Sequence, residues 1–302
     1  MKPIVVLGSL NMDLVVRSPR LPAAGETILG GPFQTFPGGK GANQAVAIAR
    51  LEAPVTMIGR VGADAFGNEL LQAAAKDGVD VQAIIRDPQA ATGVALITVD
   101  AAGQNTIVVA SGANMNVSPA DVEQHAGLIE RASLLVMQLE CPLDAVQSAA
   151  RLAHQAGVRV VLNPAPAREL PAELLASIDL LAPNQSELLL LIGSELPLPV
   201  ATRQLIDLGV PNVVVTLGGE GAYLASPQTE TYLPPHPVAA IDTVAAGDAF
   251  VGALAVALAE GKPLKQAVRW GNAAGAIAVT RQGAQPSLPT RSEVLAMLET
   301  HL

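Results

Sequence analysis

Short, mostly apolar runs rich in Val, Ile and Leu recur along the chain at residues 3–8, 55–61, 134–139, 158–162, 180–182 and 213–217. Each is too short for a stable helix, and none alternates with polar residues. Such runs predict strands buried on both faces, the signature of a parallel sheet. Amphipathic or small-residue stretches fall between and after them. Residues 44–51 and 65–77 (closed by Gly78), the stretch opened by Ser118-Pro119, and residues 250–260, 264–280 and those after Thr290 all read as helices. Ser118 is a cap with proline at the first helical position; the last helix reads as packing only. Strand–helix alternation of this kind predicts an α/β fold, a three-layer α/β/α doubly wound and mostly parallel sheet.

Two stretches depart from that rhythm. Residues 14–36 break into short alternating segments separated by Pro and Gly. Residues 92–110 place two strand-like segments around Ala101-Ala102-Gly103-Gln104, a hairpin signal. They are expected to be insertions that form a small β-sheet, either a lid over the main body or a dimer surface.

At 302 residues the chain could make one large α/β domain or two smaller ones; continuous alternation favours a single domain over 1–302. Half of the residues are hydrophobic and 15% charged, which argues against disorder. No apolar run reaches the roughly 18 residues needed to span a bilayer, and the N-terminus does not read as a signal peptide. The single cysteine, Cys141, leaves no intramolecular disulfide framework and fits a reducing, cytoplasmic compartment. A net charge of −9 and 2% aromatics argue against nucleic acid as a partner. A bound nucleotide would therefore have to be held by backbone amides, a few local cations and a metal.

The polar residues that follow the predicted strands are where chemistry is expected. Asn11 and Asp13 suit a polyol, or equally a turn that bonds its own backbone. Gly38-Gly39-Lys40-Gly41-Ala42-Asn43 leads into a helix and lacks the spacing of a Walker A loop. Glu140 ends a strand, and Cys141 beside it reads as a packing residue. Asn184 and Glu187, three apart, read first as a helix cap and its first-turn support, with a shared ligand or metal–water cluster as the alternative. Gly218-Gly219-Glu220-Gly221 offers room at a strand tip, or an ordinary hairpin turn. Four scattered histidines give no zinc spacing; His125, His154 and His301 read as solvated.

The most informative stretch is 241–250, Ile-Asp-Thr-Val-Ala-Ala-Gly-Asp-Ala-Phe. Ala245-Ala246-Gly247 leaves little side-chain bulk at a helix start, where unpaired amides and the helix dipole favour an anion. Asp248 sits in that turn and Asp242 lies six residues earlier. An anion hole beside a carboxylate suits transfer of a phosphoryl group to a hydroxyl, with the carboxylate accepting the proton. Taken singly, the same stretch could be an ordinary N-capped helix start.

The order of these motifs resembles the ribokinase-like sugar-kinase family over nearly the whole chain. The match rests on Gly8-Ser9-Leu10-Asn11-Met12-Asp13, Gly38–Ala45, Met137-Gln138-Leu139-Glu140, Asn163-Pro164-Ala165-Pro166-Ala167, Pro183-Asn184-Gln185-Ser186-Glu187, Thr216-Leu217-Gly218, 242–250 and 278–287. The resemblance implies ATP-dependent phosphorylation of D-ribose at its 5-hydroxyl. It implies Asp248 as general base, with Ala245, Ala246 and Gly247 as the anion hole for the γ-phosphate. Sugar contacts would come from Asn11, Asp13, Gly39, Lys40, Asn43 and Glu140. Asn184, Thr216, Gly218, Gly221 and Asn272 would lie on the ATP side, with Glu187 ordering Mg2+ and its waters. A K+ site is implied at Asp242, the carbonyls of Val244, Ala278, Arg281 and Gly283, and Ser287. A homodimer through the lid is also implied. Gln185-Ser186 stands where many relatives carry Glu-Thr, and Asn272 where some carry His. The rival readings are a kinase for another sugar or a nucleoside, and a non-catalytic sensor. An oxidoreductase is disfavoured because no Gly-x-Gly-x-x-Gly turn follows the first strand.

Overall fold

The structure is a computed structural model that describes residues 1–300; His301 lies outside the described residues. Among these, the strands in chain order are β1 (Ile4–Leu7), β2 (Asn11–Arg17), β3 (Phe33–Gly38), β4 (Val55–Gly62), β5 (Ile84–Asp87), β6 (Gly93–Val99) and β7 (Asn105–Ala110). They continue as β8 (Leu134–Met137), β9 (Arg159–Leu162), β10 (Leu180–Leu181), β11 (Val213–Thr216), β12 (Ala222–Ala225) and β13 (Glu230–Leu233).

Nine of them form one sheet in the order β13-β12-β11-β10-β9-β8-β1-β4-β5. Pairing is parallel from β11 to β5, and the β12–β13 edge is antiparallel. The apolar strands predicted from the sequence all lie in this sheet. Period-2 geometry sends Ile4 and Val6 to one face and Val5 and Leu7 to the other, and each pair joins a separate apolar core. Helices Lys40–Arg50, Ala65–Lys76, Ala246–Ala259 and Leu264–Ala278 cover the first face; Leu143–Gln155 and Leu198–Asp207 cover the second. Three layers result, as expected.

The chain leaves β1 in one direction to β4 and β5, and later returns to the other side at β8. The reversal between β1 and β8 opens a crevice at the strands' C-terminal ends, where open α/β sheets bind ligands. Gly8-Ser9 and Gln138 follow those two strands. Gly8 needs to be glycine here: a Cβ would lie 2.1 Å from Gln138 Oε1 and 2.8 Å from Gly41 Cα.

The two insertions form a four-stranded sheet, β3-β2-β6-β7. Each insertion is an antiparallel pair, and the two are joined in parallel through β2 and β6, from Asn11↔Gly93 to Arg17↔Val99. Two helices begin earlier than the sequence suggested. Lys40 and Ala246, rather than Gln44 and Phe250, open them; a glycine in each first turn, Gly41 and Gly247, weakens the helical signal in the sequence without preventing the helix. Helix Ala246–Ala259 is apolar on all sides and sits inside the first core, packed on Lys40–Arg50; a Cβ at Gly252 would lie 2.6 Å from Ala47 Cβ. No helix among the described residues is long and apolar enough to cross a membrane.

Candidate active site

One cavity of about 580 Å³ lies between the main sheet's crevice and the small sheet. Asn11, Asp13, Gly39, Lys40, Asn43, Glu140 and Asp248 all line it, as do Asp242, Val244, Ala245 and Gly283. Distant parts of the sequence thus converge as the motifs anticipated. Asn184, Glu187, Thr216, Gly218, Gly221 and Asn272 lie outside that lining.

Asn11 and Asp13 open β2 instead of occupying a free turn. Asp13 pairs across to Phe36, and its alternation with Met12 sends it toward the cavity while Met12 is buried in the core. Burial pushes its carboxyl up to about 7, with Glu140 and Asp248 adding to the rise. Asn114, which had not stood out in the sequence, anchors the root of β2. Its Oδ1 accepts from Leu10 N at 2.9 Å, and its Nδ2 donates to Leu10 O at 3.0 Å and to Asn11 Oδ1 at 2.8 Å.

Gly39 takes a left-handed conformation, φ 89°, and its N-cap position has no side-chain cap. Lys40 N donates instead to Glu140 at 3.2 Å, and Ser9 Oγ donates to the same carboxylate. Burial opposes the Lys40 charge, yet Asp248, Glu140 and Glu187 outweigh it and hold the ammonium above its ordinary value. One cation therefore faces several carboxylates.

Asp248 is 7% exposed, in the first turn of its helix. Asn43 Nδ2 donates to its Oδ2 at 2.9 Å and Gln44 Nε2 to its Oδ1 at 3.0 Å. Burial raises the carboxyl above the usual range; Lys40, Asn43 and Gln44 pull it down, and Glu140 adds to the rise. A desolvated, oriented carboxylate with a raised pKa can accept a proton from a bound hydroxyl. The N-cap of its helix is Ala245, a non-glycine residue at φ 59°, with no side-chain cap. Such strain at a helix start is characteristic of ligand sites. A Cβ on Gly247 would meet nothing within 4 Å, so the amides beside it have room for an anion.

Asn184 and Glu187 form a capping box: Asn184 Oδ1 accepts from Glu187 N at 2.7 Å, and Glu187 Oε2 from Asn184 N at 2.8 Å. The structural role favoured for this pair is present, and Glu187 also faces the site. Burial raises its carboxyl, Lys40 lowers it and Asp248 raises it. Asn184 bridges to Thr216, which places the tips of β10 and β11 side by side. Gly218–Glu220 is a single 3-10 turn, and β12 then returns antiparallel to β11. Asn272 donates its amide to Leu233 O and Pro234 O at 3.3 and 3.0 Å, which leaves its Oδ1 for any ligand. Cys141 is buried with its thiol pushed up to about 12, so packing is its role.

Asp242 ties two segments together. Its Oδ1 accepts from Val244 N at 3.0 Å and its Oδ2 from Gly283 N at 2.9 Å, while Ile241 N and Asp242 N donate to Val279 O. The donors implied for K+, namely Asp242, the carbonyls of Val244, Ala278, Arg281 and Gly283, and Ser287, are all oxygens, a chemistry that fits a hard cation; Ala278 O here accepts from Arg281 N at 3.1 Å and Ser287 Oγ donates to Ala284 O at 2.7 Å. Among the described residues no group of three or more His, Cys, Asp or Glu could hold a metal, so a cation here would rely on carbonyls.

The family model "pfkB family carbohydrate kinase" matches residues 1–291. The chain belongs to this family and is an ATP-dependent carbohydrate kinase. It is 44% identical to a ribokinase of Haemophilus influenzae over 99% of both chains, and 44% identical to one of Schizosaccharomyces pombe over 96% of both. The structure of Arabidopsis thaliana ribokinase complexed with ribose and ATP matches at a TM-score of 0.93, with 36% identity over 99% of each chain.

Proposed function

We propose that this protein transfers the γ-phosphoryl group of ATP to the 5-hydroxyl of D-ribose. The observation that carries the reading is Asp248. It is a buried carboxylate at an uncapped helix start, and it lines one cavity with Asn11, Asp13, Lys40, Asn43 and Glu140. Those residues and Gly39 hold the sugar hydroxyls. Asp248 takes the 5-hydroxyl proton as O5 bonds to the γ-phosphorus and the bond to the β-phosphate oxygen breaks, releasing ADP. The amides of Ala245, Ala246 and Gly247 stabilise the charge that develops on the phosphoryl oxygens.

The nucleotide lies along Asn184, Thr216, Gly218, Gly221 and Asn272. Glu187 would order Mg2+ and its waters, and Mg2+ would neutralise phosphate charge. Asp242 and the oxygens named with it would hold K+, which would stiffen the turn before Ala245. Leu96, Val108 and Phe33 leave the small sheet with large exposed apolar side chains that do not line the cavity. That surface supports a homodimer through the lid, which ultracentrifugation tests. The reducing compartment suggested by the lone Cys141 supports a cytoplasmic setting.

The test is ADP release with a panel of pentoses, hexoses and nucleosides in Mg2+, with K+ or Na+. Ribose-dependent turnover that requires K+ supports both substrate and cation. Activity only with another sugar moves the substrate, and silence throughout favours a sensor.

A further inference from the structure

We infer that Gln44 is the positioning residue for Asp248, clamped in a single orientation by Gln138 and Asn163. This rests on the reading of Asp248 as proton acceptor. Gln44 has no exposed surface and does not line the cavity, so it reaches substrate only through Asp248. Its Nε2 donates to Asp248 Oδ1 at 3.0 Å and to Asn163 Oδ1 at 3.1 Å; its Oε1 accepts from Gln138 Nε2 at 2.6 Å.

The direction of every bond in this chain follows from its two ends. Ala182 O can only accept, so Asn163 turns its Nδ2 to it, at 2.9 Å, and its Oδ1 toward Gln44. Gln44 must therefore present its NH2 to Asn163, and the Asp248 carboxylate demands the same group. Both hydrogens of Gln44 are then used, which leaves its oxygen for Gln138. No alternative amide orientation satisfies both ends.

The consequence is a carboxylate held at two points. Gln44 fixes Oδ1 and Asn43 fixes Oδ2, so rotation of the Asp248 side chain breaks both bonds. The groups facing Asp248 are Lys40 from the same helix as Gln44, Asp13 from β2, Glu140 beyond β8, and Glu187 from helix Gln185–Ile192. A neutral donor at position 44 holds the carboxylate ionised and aimed. A further cation there would neutralise the basicity that proton abstraction needs.

The experiment measures kcat and KM from about pH 5 to 9 for Gln44→Met, Gln138→Met and Asp248→Asn in the full chain. The sugar used is the one giving the fastest ADP release, and calorimetric ADP titration counts active sites. Gln44→Met should lower kcat per site on the order of tenfold to a hundredfold, with both KM values within about threefold. Its acidic limb should move up by about one pH unit. Gln138→Met should move both quantities the same way by less, and it decides the matter if Gln44→Met does not fold. An unmoved limb, or a kcat per site within about threefold of the parent, overturns the inference. If Asp248→Asn itself retains turnover, the assignment of the base fails instead.

Discussion

Asn114 Nδ2 lies 2.8 Å from Asn11 Oδ1, and this bond decides which end of the Asn11 amide looks into the cavity. Because Asn114 is itself oriented by Leu10 N and Leu10 O, Asn11 must present its NH2 to the ligand. Asn114→Asp removes the donor, so Asn11 should turn its oxygen to the sugar. The sugar KM is expected to rise about tenfold or more, with the ATP KM unchanged. Stability should fall by about 1–3 kcal/mol as Leu10 O loses its partner. Steady-state kinetics and denaturant titration read the two effects; an unchanged sugar KM would separate Asn114 from recognition.

Asp248→Asn keeps the shape of the site and removes the proton acceptor. Turnover should drop on the order of a hundred- to ten-thousand-fold, while calorimetry still detects sugar and ATP. Near-normal turnover would sink the assignment of the base.

Asp13 gives the site a pH dependence with a definite sign. Its folded pKa, about 7, lies above its ordinary 3.8, so the folded protein holds a proton that the unfolded chain releases. Stability from this group is therefore present at low pH and is lost as pH rises through about 7. Asp13→Asn should raise the melting temperature at about pH 8 more than at about pH 5. Sugar hydroxyls donate best to the ionised carboxylate, so ribose affinity in the parent should strengthen across the same interval. Affinity that is flat with pH would mean that Asp13 does not accept from the sugar.

Gly8→Ala places a methyl group against Gln138 Oε1 and Gly41 Cα. Overpacking of this kind costs about 1–3 kcal/mol. It should also displace Gln138 from Gln44, so kcat should fall with it. In a double-mutant cycle with Gln138→Ala the stability losses should not add; strict additivity would show that the two residues do not meet.

Much of the main sheet was legible because strands buried on both faces leave continuous apolar runs. The Asn184–Glu187 capping box was legible for a similar reason, since its spacing is local. Asn11 and Asp13 were ambiguous because β2 begins with polar residues that carry no strand pattern of their own. Helix starts at Lys40 and Ala246 were hidden by the glycines in their first turns, Gly41 and Gly247. The parallel join of β2 to β6 could not be read, because register between distant segments leaves no local periodicity. Gln44, Gln138 and Asn163 sat inside recognisable motifs, yet nothing local shows that three buried amides will meet. Asn114 had no signal at all.

That join also makes assembly of the small sheet a long-range event. The Leu10–Asn114 clamp closes across 104 residues, and the small sheet has no central pair until β6 arrives beside β2. Closing so long a loop carries an entropic cost that local contacts cannot offset beforehand. The sugar's half of the cavity therefore cannot form from either insertion alone: both must be in place before β2 and β6 can pair.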